Sequence, residues 1–457
     1  MQRSIFHAAS PDHSSHRALT LAAAIALALA GSSAPRIAHT ATSAQVLVVQ
    51  NCNDSGAGSL RETYAAASDG AVVDLSQLAC STITLTSGPV SSGIYPGSVA
   101  ISGSAEHRVT ISGNNSGRVI VHSGEALQVS NLTIEAGVAH DFAGGGCIFS
   151  QGDVRLSNTT VHDCEVSTTG SVAAVGGAIL ANGRAYLLGS TVSSSSAHAA
   201  ASTADGGGIH ASYVFTDWQS SVTGNTASSG DDHVARGGGA YAAGGLRVRH
   251  TTFSGNSAGS GGALYVGAKP GFAQREILNS TISGNSASGA GGGVRSAFSI
   301  TVYNSTITAN QAGFDFGAGM YLGQGAVLSS TIVAGNSSSG GLTASDVGGN
   351  SQGTVFGENN LIVASTLMVP KDTLMIDPKL GPLADNGGGM LTHALLPGSP
   401  AIDAGANFAS LPGDQRLYVC NPKCQLAERS VGDAPDIGAI ESGAPDHIFD
   451  GRFESET

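Results

Sequence analysis

Short apolar phrases return at nearly regular intervals along the middle of the chain. Each phrase carries Ser, Thr or Asn and closes on an apolar residue. The phrases are Asn131-Leu132-Thr133-Ile134, Asn158-Thr159-Thr160-Val161, Gly189-Ser190-Thr191-Val192, Ser220-Ser221-Val222, Thr251-Thr252-Phe253, Ser280-Thr281-Ile282, Ser305-Thr306-Ile307 and Ser330-Thr331-Ile332. Subtracting each closing position from the next gives steps of 27, 31, 30, 31, 29, 25 and 25 residues. Such a period indicates one structural unit per step.

A glycine phrase and an asparagine keep a fixed place within each step. The glycine phrases are Gly176-Gly177-Ala178-Ile179, Gly206-Gly207-Gly208-Ile209, Gly237-Gly238-Gly239-Ala240, Gly261-Gly262-Ala263-Leu264, Gly291-Gly292-Gly293-Val294 and Gly317-Ala318-Gly319-Met320. The asparagines are Asn225, Asn256, Asn285, Asn310 and Asn336. We expect the glycines at corners, where they accept a positive φ. We expect the asparagines at a turn, in the αL conformation, each bonded to the asparagine one coil away as an inward ladder.

These steps predict a stack of coils made of short strands. A step of 25 to 31 residues leaves little room for the helix of a βαβ crossover, and no helical pattern separates the strands. Segments such as 277–282 are rich in β-forming residues and alternate only partly, as strands around a narrow core do. We therefore predict an all-β, single-stranded right-handed parallel β-helix whose coils stack at roughly 4.8 Å.

Each end of such a stack needs a cap, because it exposes core and unpaired strand edges. Ser59 and Glu62 form a capping-box pattern, and Leu60 and Tyr64 share one helical face, which predicts a short N-terminal capping helix. The predicted organisation is a signal peptide over 1–44, an N-terminal cap with the first strands over 45–100, coils over 101–365, a C-terminal cap over 366–443 and a tail over 444–457.

The first 44 residues predict export. Arg3 and Arg17 precede the apolar run 18–30, and small residues suited to signal peptidase follow it. The run is shorter than the roughly 20 apolar residues that a membrane anchor needs. We expect a protein that is exported and has no transmembrane segment.

Six cysteines fall into three pairs that are close in sequence, namely Cys52 with Cys80, Cys147 with Cys164, and Cys420 with Cys424. In an exported protein an even number favours disulfides. A zinc site at Cys420 and Cys424 is the alternative, but no second Cys or His pair lies nearby to complete four ligands. We favour disulfides and leave their connectivity open.

Composition narrows the range of partners. The net charge is -13 with only 20 Lys and Arg residues, which argues against nucleic acid, anionic lipid and polyanionic sugars. Aromatic residues make up 5% of the chain and Trp218 is the only tryptophan, which argues against a long platform for stacking sugars.

Residues that could carry out catalysis are sparse. The richest polar group is Asp231, Asp232 and His233, with Arg236 nearby, and we expect Asp205, His210 and His250 on adjacent coils. A hydrolase needs two or three convergent carboxylates, and a calcium-dependent lyase needs an acidic cluster beside a base. The group lies in a Gly/Ser-rich connection, where an exposed loop is polar in any case, so we favour a loop over a catalytic site. No metal or cofactor is expected, and calcium enters only under the lyase alternative.

Both ends of the chain resemble segments of bacterial extracellular β-helix proteins. Residues 53–62 resemble the CSLREA-type opening, although Gly58 stands where that motif has Cys and Thr63 where it has Ala. Four segments resemble the choice-of-anchor Q domain, namely 381–388, 397–405, 414–416 and 436–441. Residues 176–179 and 253–256 are similar to the short repeats of polymorphic outer-membrane adhesins.

The resemblance implies a pectin-lyase-like solenoid outside the cell or on the bacterial outer surface, with no agreed biochemical activity. It also implies that Asp414, Arg416, Arg429 and Asp436 form a buried ion-pair lock in the C-terminal cap. We favour a monomeric scaffold or adhesin-like module that binds a surface glycan or protein. The alternative is a polysaccharide lyase or hydrolase.

Overall fold

The computed structural model describes residues 45–93, 97–140, 144–230, 234–269, 271–272, 274–313, 317–339, 346–350, 353–420, 424–429 and 432–443, with the backbone alone at 418–420 and 424–426. The predicted signal peptide, the predicted tail, and the group Asp231, Asp232 and His233 lie outside these residues. Nearly all regular structure in the described chain is β-strand, and its helix, Leu60–Ala65, has six residues. Within these ranges no helix is long and apolar enough to cross a membrane.

Three long parallel sheets make up the body of the described chain. Sheet 1 contains Val46–Val48, Val72–Asp74, Val90–Ser91, Ser98–Ser102, Ile120–His122, Ala126–Ser130, Ile148–Ser150, Asp153–Ser157, Ile179–Leu188, Ile209–Asp217, Ala240–Arg249, Leu264–Val266, Arg275–Leu278, Val294–Ser296, Ile300–Tyr303, Met320–Leu322, Ala326–Ser329, Val347–Gly349 and Val355–Glu358. Sheet 2 contains Thr82–Thr84, Val109–Ser112, Leu132–Glu135, Thr160–His162, Thr191–Ser193, Ser220–Thr223, Thr251–Ser254, Thr281–Ser283, Thr306–Thr308, Ile332–Ala334 and Leu361–Ile362. Sheet 3 contains Val138–His140, Glu165–Thr168, Ser196–Ala199, Thr226–Ser229, Ser257–Ala258, Ser286–Ala287, Gln311–Ala312 and Ser337–Ser338.

Smaller elements complete the described strands. A three-stranded sheet of Ala174–Val175, Ala204–Asp205 and Ala235–Arg236 lies beside the early coils of sheet 3. Two antiparallel hairpins follow the coils, Leu380–Asp385 with Leu391–Leu395 and Gly413–Cys420 with Cys424–Glu428.

Successive coils pair in parallel, residue over equivalent residue. In sheet 2, for example, Val192 pairs with Val222, which in turn pairs with Phe253. About ten such coils form the solenoid. The prediction of an all-β, right-handed parallel β-helix is confirmed.

The core is made of inward columns of equivalent side chains. The column of sheet 2 is fully buried and consists of Ile111, Ile134, Val161, Val192, Val222, Phe253, Ile282, Ile307, Val333 and Ile362. Burying an aliphatic side chain of this size contributes roughly 1.5–3 kcal/mol, so each coil is stabilised only when its neighbours cover it. This dependence on neighbours is why the apolar residue closing each phrase recurs.

The corner glycines are required by both conformation and space. Gly206 has a φ of +73°, which is strained for residues with a side chain. A Cβ at Gly207 would collide with the backbone of Thr226 on the neighbouring corner. The glycine phrase therefore lets two stretches of backbone approach each other closely.

The five asparagines lie one above another in the buried interior, between sheets 2 and 3. Asn225 Nδ2 donates to Asn256 Oδ1 over 3.0 Å, and the same bond links Asn256 to Asn285 over 2.9 Å. Each Oδ1 also accepts the backbone N–H of the asparagine one coil earlier, as Asn285 Oδ1 does from Asn256 N–H at 3.0 Å. The remaining rungs, Asn285 to Asn310 and Asn310 to Asn336, have the same geometry.

The αL conformation expected of these asparagines is found one residue earlier. Positive φ values occur at Gly224, Gly255, Gly284, Ala309 and Gly335, and at none of the five asparagines. The preceding residue thus makes the turn, which leaves the asparagine side chain free to enter the interior and bond across coils.

The ladder extends beyond the asparagines at both ends. Ser195 N–H donates to Asn225 Oδ1 over 3.1 Å, and Cys164 N–H donates to Ser195 Oγ over 3.2 Å. At the other end Asp346 Oδ1 accepts from both nitrogens of Asn336 at 2.9 Å. Burial raises the pKa of Asp346. The ladder therefore ends on an acceptor, as its direction of donation requires.

One register inferred from the sequence is wrong by a residue. The step from Ile307 was expected to close on Ile332, 25 positions on, but Ile307 pairs with Val333. Ile332 is buried on the other side of its strand, in a cluster with Ala401 and Ile437 of the C-terminal segment. An apolar residue on the outer face was mistaken for a core residue because the later chain covers it.

The N-terminal helix covers the first coils as expected. Ser59 Oγ accepts the N–H of Glu62 over 3.4 Å, while Ser59 N–H donates to Gly56 O rather than to the Glu62 side chain. Leu60 and Tyr64 are fully buried, and the Tyr64 hydroxyl lies 2.8 Å from His122 Nδ1. The helix thus uses half of a capping box.

Disulfides join Cys52 to Cys80 and Cys147 to Cys164, as two of the three sequence pairs suggested. Cys420 and Cys424 face each other across the second hairpin, but their side chains are outside the described part of the structure.

Ser365, Met368 and Leu374 bridge in parallel to Val347, Thr354 and Leu361 of the last coil. The segment that follows, 378–441, lies along the outer face of sheet 2. Gln415 Oε1 accepts from Thr281 Oγ1 at 2.6 Å, and Gly438 N–H donates to Ser330 O at 2.9 Å. Its contacts run over several coils, from Gln219 to Asn359. We call this segment the flank.

Asn285→Leu is expected to lower the melting temperature. Leucine keeps the volume but leaves the N–H groups of Asn256 and the carbonyl of Phe253 without their buried partner, at a cost of about 3 kcal/mol in the free energy of unfolding. The matched control is Asn182→Leu at an exposed position, which should change little. Equal melting temperatures for the two variants would contradict a stabilising ladder.

Candidate binding face on the first sheet

The described residues of the sequence-predicted polar group separate into two places. Arg236 forms an ion pair with Asp205, with Nε 2.7 Å from Oδ1, and His210 stacks on Tyr241 beneath it. Burial raises the pKa of Asp205, and Arg236 partly offsets that effect. His250 lies apart, at the corner between sheets 1 and 2.

His250 is a structural residue of the flank interface. Its Nδ1 lies 2.7 Å from Asp217 Oδ1 and its Nε2 lies 3.3 Å from Asn279 Nδ2. Asn279 in turn donates to Gly413 O on the flank over 2.6 Å. All three side chains are buried, so this chain of contacts connects the coils to the flank.

Outward positions of sheet 1 carry a column of rings and guanidinium groups. We call it the first column, and it consists of His210, Tyr241, Tyr265, Arg295 and Tyr321 at equivalent positions of consecutive coils. Tyr241 stacks on His210 at 5.0 Å and on Tyr265 at 5.5 Å between ring centroids. The Arg295 guanidinium lies 5.6 Å from the Tyr265 ring and 5.1 Å from that of Tyr321. Each of these side chains keeps part of its surface in solvent.

Arg236 and His210 set the electrostatics of this column. The Arg236 guanidinium lies 4.8 Å from the Tyr241 ring and 5.4 Å from that of Tyr265. Burial, followed by the charges of Arg236 and Lys269, lowers the pKa of His210 to about 4. His210 is therefore a neutral ring near pH 7, and the column offers π surfaces beside fixed positive charge.

A second column runs beside the first on sheet 1, and the strands Ile209–Asp217 and Ala240–Arg249 carry residues of both columns. The second column consists of Arg155, Tyr186, Phe215, Arg247 and Glu276. Tyr186 and Phe215 contact each other at 5.8 Å between centroids, and the Arg155 guanidinium lies 5.0 Å from the Tyr186 ring. Beside this column Tyr213 stacks on Phe272 at 5.8 Å.

These rings enclose an open pocket of about 330 Å³, which we call the aromatic pocket. Its walls are Arg184, Tyr186, Tyr213, Phe215, Arg247 and Phe272, with Gln274 at the rim. A second, larger groove follows sheet 3, and it is lined by uncharged residues, mostly Ser, Ala and Gly. The aromatic pocket is thus the one of these two that offers both stacking surface and charge.

The two columns were missed by sequence reasoning, which treated 5% aromatic content as too little for a platform. The signal lies in the positions of the aromatic residues along the chain and not in how many there are. The residue directly after each glycine phrase is His210, Tyr241, Tyr265, Arg295 or Tyr321 in five successive coils. Aligning the glycine phrases would have placed these side chains over one another.

The residues of the proposed ion-pair lock lie in the flank and are buried. Arg416 contacts Asp414 with Nη2 2.6 Å from Oδ2, and Arg429 Nε lies 3.4 Å from Glu441 Oε1. Asp436 Oδ1 accepts the N–H of Asp403 at 2.8 Å, and Asp436 N–H donates to Glu441. Sequence reasoning did not include Glu441 in this group. Two guanidinium groups face three carboxyl groups, so the cluster is electrically neutral only when one carboxyl is protonated.

No family model and no curated protein matches this chain. Among solved structures, the chain is similar to the pectate lyase Pel9A at 14% identity and a TM-score of 0.42, over 88% of this chain and 97% of that one. The fold assignment rests on the strand pairing described above and not on this match. Within the described ranges, no group of three or more His, Cys, Asp or Glu residues is placed to hold a metal ion.

Glu441 is expected to make stability depend on pH. Burial raises the pKa of Glu441 to about 8 from an ordinary value of 4.5, against the opposing effect of Arg429. Between these values the folded protein keeps a proton that the unfolded chain releases, so stability falls as pH rises from about 4.5 to 8 and then levels off. Glu441→Gln stays neutral. The melting temperature of this variant minus that of the wild type should therefore increase as pH rises across this range.

The measurement is the melting temperature against pH for the wild type, Glu441→Gln and the exposed control Glu106→Gln. Curves for the wild type and Glu441→Gln that remain parallel from pH 5 to 8 would show that Glu441 does not hold the proton.

Proposed function

We propose that this chain is an exported, surface-associated scaffold whose sheet 1 face binds a glycan. The observation that carries the proposal is the first column, where rings of His210, Tyr241 and Tyr265 stack in register and remain partly exposed. Aromatic faces flanked by polar groups suit the apolar face of a sugar ring and its surrounding hydroxyl groups. A glycan is favoured over a protein partner because the column is long and narrow rather than a broad apolar patch.

The state of the carboxylates on this face supports binding rather than turnover. Asp205 is engaged by Arg236, Glu276 lies 3.3 Å from Arg247, and Asp153 lies 3.6 Å from Arg155. Carboxylates paired with arginine in this way are poor candidates for general acids or bases that must exchange protons at a sugar bond.

The chain ends support a location outside the cell. The export pattern of 1–44 and the two disulfides favour an oxidising compartment. The resemblance of 53–62 to the CSLREA-type opening and of 381–441 to the choice-of-anchor Q domain adds a bacterial surface as the expected site. We expect the protein to act there as a monomer, without a cofactor.

The test is a screen of the purified protein on immobilised glycans, with a parallel assay for new reducing ends. We expect saturable binding without release of products. Tyr265→Ala should weaken binding about tenfold, because each stacked ring contributes on the order of 1 kcal/mol or more. Trp218→Ala is the control, since Trp218 is 64% exposed and lies at a corner outside both columns. Binding that survives Tyr265→Ala but is lost in Trp218→Ala would contradict the proposal.

The alternative function, a polysaccharide lyase or hydrolase, stays a prediction tied to Asp231, Asp232 and His233. Its test is depolymerisation of pectate, alginate and related polymers, with and without calcium. Under the binding proposal no polymer is shortened. Saturable depolymerisation that Asp232→Ala abolishes would establish the enzyme and reject a purely binding role.

A further inference from the structure

The aromatic pocket differs from the first column in the charge of its walls. The cationic side chains at or beside it are Arg155, Arg184, Arg247 and Lys269, and the nearby carboxylates are Asp153 and Glu276. The whole chain has a net charge of -13, so this surplus of cations is local. A positively charged site in a protein that is acidic as a whole indicates a ligand that carries negative charge.

Two guanidinium groups in the pocket have capacity for a further acceptor. Arg184 is exposed, donates to the Tyr186 hydroxyl over 3.2 Å and forms no ion pair with a carboxylate of the described chain. Arg247 is paired with Glu276, with Nε 3.3 Å from Oε2, and its guanidinium also forms part of the pocket wall. A guanidinium presents several N–H donors, so each of these side chains can donate to a further acceptor while it keeps its present contact.

The rings set the shape of that ligand. Tyr186 and Phe215 meet at 46°, whereas Tyr213 and Phe272 lie within 26° of parallel. Both pairs are in mutual contact, so they form walls and leave no slot between parallel rings to sandwich a nucleobase. The Tyr213 hydroxyl lies 3.3 Å from Gln274 Oε1, which places polar groups at the rim. Such walls suit a ring with an apolar face and hydroxyl groups at its edge.

We propose that the aromatic pocket binds a carboxylate-bearing sugar, a uronic acid unit within a glycan chain, a proposal that rests on the glycan-binding function above. The sugar ring lies against Tyr186 and Phe215, and its carboxylate accepts hydrogen bonds from Arg184 and Arg247. A carboxylate projects from the edge of a uronic acid ring, so stacking and pairing with a guanidinium occur together. This reverses the expectation from net charge that polyanionic sugars are disfavoured.

The experiment is calorimetric titration of the protein with a glucuronic acid tetrasaccharide and with the same tetrasaccharide as its methyl ester, which removes only the charge. We expect the acid to bind about tenfold more tightly at low salt, because a charge-assisted hydrogen bond contributes roughly 1.5–3 kcal/mol. High salt should reduce the difference in affinity between the acid and the ester. Arg184→Gln should remove most of the preference for the acid over the ester. Arg108→Gln, an exposed change of the same charge next to the sheet 2 strand Val109–Ser112, should keep the preference for the acid.

Unfolding curves check that both variants are folded, which is expected because both arginines are exposed. Equal affinity of the wild type for acid and ester overturns the acidic ligand while glycan binding stands. Loss of the preference in Arg108→Gln as much as in Arg184→Gln overturns the pocket as its source. Release of reducing ends from the tetrasaccharide rejects a purely binding function but leaves the ligand class intact.

Discussion

The in-register stacking of each coil on the next is the constraint on which the rest of the structure depends. A strand of three or four residues cannot bury its apolar side chain alone, and it gains both hydrogen bonds and cover only from equivalent residues one coil away. The asparagine ladder in the interior of the solenoid fixes this register. Asn256 bonds to Asn285 through side chain and backbone together, so a slip by one residue would leave several buried groups unpaired.

The same register determines what the outside of the solenoid can do. Equivalent residues of successive coils lie above one another. A residue type that is repeated at one position in several coils therefore forms a continuous column. Tyr241 and Tyr265 are 24 positions apart in sequence yet stack at 5.5 Å. The carboxylates of this face are mostly neutralised by arginine, as Asp205 is by Arg236, which leaves rings and guanidinium groups as the exposed chemistry. The proposed binding function follows from this arrangement.

Local periodicity made the coils predictable, and long-range contacts limited the prediction elsewhere. The apolar residue that closes each phrase and, in the later coils, the asparagine three or four positions after it are local signals, so the coil order followed from them. Ser195 has the same spacing, three residues after Val192. Because it carries a hydroxyl instead of an amide, the sequence pattern does not identify it as part of the ladder. The flank contacts residues more than a hundred positions earlier, as Gln415 does Thr281, and no local pattern reports such a pairing. For that reason the sequence pattern places Ile332 in the core and does not predict that 378–441 lies along sheet 2.

The central claim is that ligand binding belongs to the outer face of sheet 1. Hydrogen–deuterium exchange of the protein with and without a bound oligosaccharide tests it most directly. The account predicts slowed exchange in the outward segments Ile209–Asp217, Ala240–Arg249 and Leu264–Val266 and at Gly271, Phe272 and Gln274, with no change in sheet 3 or the flank. Protection confined to the groove of sheet 3, or to the flank, would contradict it.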